Sequence, residues 1–139
     1  MRLILVMALC LVSMTVEAAG LTVKGITLGA PAPASLVERL PGSKGVLAET
    51  YFGLPAKLLV NIDQSDKVTI VTFLVEGNAA HALLEELTKK YGKPDARGRN
   101  FEWTASDTQV LLIPPQGVGL DAQITFTYIG GPNLDPRDT

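Results

Sequence analysis

Apolar side chains between residues 78 and 92 return on a helical period. Ala80, Leu83, Leu84, Leu87 and Tyr91 share one face, with Asn78 placed as N-cap. On the polar side, Glu85 and Glu86 stand four residues before Lys89 and Lys90, the favourable order for ion pairs. A shorter helix is predicted over 32–42, APASLVERLPG. There Ser35 and Glu38 have capping-box spacing, Leu36 and Leu40 share a face, and Pro41 with Gly42 ends the run. Elsewhere the pattern turns to β-branched and aromatic stretches broken by glycine and polar turns. Strands are expected at 21–29, 46–54, 56–62 and 67–76, then at 99–105, 108–114 and 121–129. DQSD at 63–66 is a polar turn of hairpin type, and PPQGVG at 114–119 is a hairpin loop.

The two halves follow one order, a helix ending in glycine and then three strands. Gly42 and Gly92 lie 50 positions apart, Phe52 and Trp103 lie 51 apart, and TIVTF at 69–73 echoes QITFTY at 123–128. The expected class is α+β. An antiparallel sheet of about six strands would form from two helix-plus-three-strand repeats, 21–77 and 78–130, with two helices packed on one face. The opposite face would stay partly open, as antiparallel sheets tolerate, and a partner would be sought there.

The first 18 residues change what counts as the working chain. MRLILVMALCLVSMTVEAAG has one positive charge at Arg2, an apolar run from Leu3 to Val12 and a small-residue exit, the pattern of a secretory signal peptide. Cleavage after Ala18 puts Val16 and Ala18 at the two small-residue positions. A membrane anchor would need roughly 20 apolar residues, against about ten here. Lipidation at Cys10 would want a small residue before it, where Leu9 stands. The expectation is a periplasmic or secreted protein with one α+β domain over 19–130 and a flexible polar tail over 131–139. Cleavage removes the single cysteine, so no disulfide forms within the mature chain, and its core must hold it. Arg2 and Glu17 leave together, so the formal charge stays at −2 and nothing attracts nucleic acid or an anionic membrane in general.

The remaining inventory is poor in catalytic groups. His81 is the only histidine and is expected as an exposed residue of the second helix. Asp63 and Asp66 lack the oxygen spacing of a calcium loop and are assigned to a plain turn. No GxSxG elbow occurs, and the GVG at 117–119 joins two strands instead of opening a helix on a phosphate. No catalytic residue, metal ligand or cofactor is therefore nominated, and the chain is expected not to be an enzyme. Phe101 and Trp103 must share a face of their strand, as must Phe126 and Tyr128. Both pairs belong either to the core or to an aromatic patch on the open face. Tyr51, facing away from Phe52, is nominated as a partner contact.

Charge is concentrated in KKYGKPDARGR, 89–99, which holds 5 of the 12 lysines and arginines. Gly92, Pro94, Lys89 and Lys90 are explained by the end of a helix. Lys93, Arg97 and Arg99 lie beyond it and are expected to form a basic rim for an acidic partner.

The layout GITLG, helix, LPG, three strands, a helix ending YGKP, a strand with a central Trp and a closing strand ending in Tyr resembles small exported bacterial proteins. Some of these are similar to the β-lactamase-inhibitor-protein-like fold, with its tandem helix and sheet units. The resemblance spans most of 21–129 and implies interaction with another envelope or secreted protein; it transfers no functional residue. Two other functions are considered, a small-molecule or lipid carrier holding its ligand between helices and sheet, and an envelope glycan hydrolase needing two convergent carboxylates.

Overall fold

The computed structural model describes residues 20–43 and 45–130; the expected leader and tail lie outside the described residues. In chain order come β1 (Thr22–Val23), β2 (Ile26–Thr27), α1 (Ala34–Ser43), β3 (Leu47–Tyr51), β4 (Leu54–Ile62), β5 (Val68–Glu76), α2 (Ala80–Tyr91), β6 (Asp95–Arg97), β7 (Asn100–Ala105), β8 (Thr108–Ile113) and β9 (Asp121–Tyr128). The class is α+β, as expected. The main sheet is antiparallel and has seven strands in the order β3-β4-β5-β9-β8-β7-β6, one more than the pattern suggested. The extra strand, β6, arises in a segment expected to be a plain connection. It is short and wholly exposed, so it carries no hydrophobic alternation to betray it.

Turn chemistry sets the register of the hairpins. Lys24 and Gly25 both have positive φ, 54° and 80°, and form the two-residue turn between Val23 and Ile26. This turn splits the single strand expected at 21–29 into β1 and β2, because two left-handed residues in succession reverse the chain. Phe52 and Gly53 make the same kind of turn between β3 and β4, and Ser106 and Asp107 between β7 and β8. At the β4–β5 turn, Asp63 Oδ1 accepts from the amides of Ser65 and Lys67 at 2.8 and 3.0 Å, so its carboxylate serves the turn itself.

One face of the sheet is the core. In successive cross-strand pairs, Leu58 meets Phe73, Phe73 meets Ile124, and Ile124 meets Leu112, all buried. One row along, Val71, Phe126, Val110 and Trp103 repeat the pattern. Leu36 of α1, Leu83 and Leu87 of α2, and Val23, Ile26 and Leu28 of the N-terminal hairpin join the same buried cluster. Helices and hairpin therefore cover that face together. The hairpin is tied to the start of β8 by Thr108, the one buried polar residue among the described residues: its Oγ1 accepts from the Leu21 amide at 3.0 Å and donates to the Ser106 carbonyl at 3.0 Å.

The helix starts differ from the expected caps. The carbonyl of Pro33 accepts from the amides of Leu36 and Val37, both at 3.0 Å, so α1 begins at Ala34 and Ser35 falls inside its first turn. The helix also runs through Pro41 and Gly42 to Ser43. For α2, a 3-10 turn over Gly77–Ala79 follows β5 directly. The cap therefore falls on Ala79, without a side-chain hydrogen bond, and not on Asn78. Its C-terminal end matches expectation: Gly92 has φ 95°, and its amide donates to the Thr88 carbonyl at 2.8 Å.

Candidate functional site

Two pairs of aromatics left open by the sequence are largely resolved into the core. Phe126 and Trp103 are buried, and Phe101 and Tyr128 are half-buried against the same cluster. The indole of Trp103 donates to the Gly92 carbonyl at 2.7 Å and so locks the end of α2 to β7. Tyr51, nominated as a partner contact, is only 5% exposed. Its ring stacks on Phe73 with centroids 4.5 Å apart and planes at 14°, and meets Phe126 edge-on at 6.2 Å. It cannot be presented to a partner. The reason lies in the two-residue turn: Tyr51 is the last β3 residue and points to the core, while Phe52 enters the turn and is left 40% exposed. Burial, and then the nearby phenol of Tyr91, hold the Tyr51 pKa above the ordinary phenol range. Burial also raises that of Tyr91.

The three basic residues are brought to one end of the sheet. Arg97 ends β6, the two-residue turn Gly98–Arg99 follows, and Lys93 stands between α2 and β6. All three are exposed. Arg97 Nε lies 3.5 Å from Glu102 Oε2, whose side chain is only 15% exposed and also accepts from Gln109 Nε2 at 2.7 Å. Lys93 and Arg99 form no ion pair among the described residues. His81 is exposed in the first turn of α2 and pairs with Glu85 at 3.2 Å.

The second candidate surface is the sheet face opposite the core. Its middle row runs Leu59, Thr72, Thr125, Leu111 and Glu102 from β4 across to β7. The first four are half-buried by their neighbours and carry no charge. Ile70 and Leu74 flank Thr72 on β5, and Gln123 Nε2 donates to Thr125 Oγ1 at 2.9 Å on β9. The centre is therefore neutral and mixed in polarity, with Lys57 and Glu102 towards its sides. Alternation along the strands made this face foreseeable; which aliphatic side chains would stand beside threonine depended on strand order.

A third feature was not anticipated. Where β5 ends and β9 begins, Glu76 and Asp121 are cross-strand partners at the edge of a cleft of about 460 Å³. Gly77, Asn78 and the β8–β9 loop complete it. Gly77 permits this approach, since a Cβ there would run into the Leu120 carbonyl oxygen. Both carboxylates are exposed. Among the described residues no group of three or more His, Cys, Asp or Glu side chains converges, and no helix is long and apolar enough to cross a membrane.

Comparison with protein families, with curated proteins and with solved structures finds no match to this chain.

Proposed function

We propose that this chain is a non-enzymatic, exported protein-binding module that holds another envelope or secreted protein on the open face of its sheet, with an inhibitor or immunity-type role as one concrete form. The carrying observation is the contrast between the two faces. One is covered by two helices and a hairpin, while the other presents Leu59, Leu74, Leu111 and Ile113 among threonine and glutamine with nothing packed over it among the described residues. Apolar groups beside hydrogen-bonding side chains on a rigid sheet suit a protein surface better than a single small ligand.

The aromatic stack of Tyr51, Phe73 and Phe126 occupies the space beneath the helices where a carried ligand would sit, which favours the binding module over the carrier. The twofold reading of the chain belongs to the same proposal. With Thr72 opposite Thr125 as the centre, Phe73 answers to Phe126 and Val71 to Ile124, which supports a repeated unit and the likeness to inhibitor-type tandem folds. The test is capture from a periplasmic extract using the mature chain and a Leu111→Arg variant as baits. A protein retained by the first and lost by the second is expected; equal retention by both overturns the open-face assignment. Export is tested by N-terminal sequencing of the secreted form, with Ala19 expected first.

A second reading, glycan hydrolysis, has one observation in its favour: Glu76 and Asp121 oppose each other at the cleft. A general acid and its partner need different environments to divide their roles, and both of these carboxyls stand in solvent. Turnover of envelope glycan by the mature chain, abolished in Glu76→Gln, would establish this reading in place of the first.

A further inference from the structure

The sheet has two edges, and they are treated differently. At the β3 edge, Tyr51 and Leu54 flank a two-residue turn and exchange both hydrogen bonds, so the alternate residues Ala48 and Thr50 point their backbone groups outward. Arg39 Nη2 donates to the Ala48 carbonyl at 3.0 Å, and the Thr50 amide donates to Glu49 Oε1 at 3.1 Å. Glu49 is held in place by Lys24 at 3.7 Å and Arg39 at 3.6 Å. An incoming strand would have to break these contacts. At the β6 edge, Arg97 and Asn100 flank the turn, so Ala96 points outward by the same alternation. No side chain among the described residues donates to or accepts from Ala96.

We propose that the β6 edge accepts an extended, acidic segment of a partner protein by strand addition, with main-chain hydrogen bonds to Ala96 and the cations of Lys93, Arg97 and Arg99 around them. The inference rests on the protein-binding reading above and gives that partner a chemistry. Charge decides the occupant. Among the described residues Lys93 and Arg99 are unpaired against Asp95, while Arg97 and Glu102 pair with each other, so this edge keeps an excess of positive charge that repels a second copy and draws in a carboxylate-rich strand. Pro94 has no amide to donate and β6 has three residues, so the main-chain contribution is confined to Ala96 and charge carries much of the affinity. The complex is therefore salt-sensitive.

The probe is a blocked heptapeptide, Glu-Val-Glu-Val-Glu-Val-Glu, with a copy of equal charge whose central valine is proline and a copy with lysine in place of glutamate. Binding is read by fluorescence anisotropy, and its place by amide chemical shifts of the mature chain. The acidic peptide is expected to bind, to move the Ala96 resonance most, and to weaken about fivefold or more between low and moderate salt, as screening shortens the reach of the charges. The lysine copy is expected not to bind. Both the proline copy and an Ala96→Pro variant, whose lost amide faces outward, are expected to weaken binding about tenfold because they remove the strand pairing. Should the proline copy and the Ala96→Pro variant bind like their parents, or should the shifts centre on Thr72 and Thr125, strand addition is overturned while binding on the open face survives. No binding by the acidic peptide at millimolar concentration overturns the proposal as well. The open-face reading is judged separately, by the Leu111→Arg capture.

Discussion

At the scale of single residues, the structure depends on a few polar atoms and one ring whose surroundings are specified closely. Thr108 is the clearest case, since a buried hydroxyl there serves the Leu21 amide and the Ser106 carbonyl at once. Thr108→Val keeps the shape and strands both groups. It is expected to cost about 1–3 kcal/mol in denaturant unfolding, the usual penalty for a buried group left unpaired. Tyr51 gives a pH prediction. Its folded pKa is raised, so the folded protein keeps the phenol proton when the unfolded chain has lost it. The resulting contribution is complete below about pH 10, the ordinary phenol value, and falls as pH rises above it. Tyr51→Phe should flatten that alkaline loss, measured as the slope of unfolding free energy between pH 10 and roughly 11.5. The identity of the buried neighbour was hidden in the sequence because Tyr51 and Phe52 are adjacent aromatics. Only the two-residue turn after β3 decides which of them points inward.

At the scale of elements, ends matter more than middles. The exit from α2 brings together Gly92, whose φ of 95° and ψ of −165° lie in a region open only to glycine, and the Trp103 indole on its carbonyl. Gly92→Ala is expected to cost about 1–3 kcal/mol by thermal or chemical unfolding, even though the added methyl would meet open space. The β3 edge makes the converse prediction. Its ion pairs join exposed cations to a half-buried Glu49 near the surface and contribute at most about 1 kcal/mol between them. The double variant Arg39→Ala, Glu49→Ala should therefore leave the melting temperature within a few degrees while raising self-association in light scattering, since it uncovers outward backbone groups. The helix positions and most strand positions could be foreseen from periodicity. The caps could not, because the chain enters α1 through the Pro33 carbonyl and α2 through a 3-10 turn in place of the Ser35 and Asn78 side chains.

For the whole molecule, one buried cluster spans the N-terminal hairpin, both helices and the six sheet strands from β3 across to β7. A chain with one core should unfold as one unit. Leu28→Ala in the N-terminal hairpin and Phe126→Ala at the centre of the sheet are therefore expected to lower the same single transition, by about 2–5 and 3–5 kcal/mol respectively. Two separate transitions in calorimetry would instead divide the chain into units.

The sequence by itself determined the class of fold, the central strands, the two helices and the end of α2. These follow from local physics: periodic burial, polar turn segments and a glycine where a helix stops. It also confined the concentrated positive charge to 89–99. Tertiary structure alone decided the rest. It placed β6 on the edge, because a three-residue exposed strand exists only by pairing with β7. It also moved Tyr51 into the core and guarded one sheet edge while leaving the other open. Those outcomes depend on which strands become neighbours, a long-range fact that no window of residues contains. Lys93, Arg97 and Arg99 thus pass from three charges beyond a helix to neighbours in the chain of an outward-facing backbone at Ala96, on the edge proposed above to take an acidic strand.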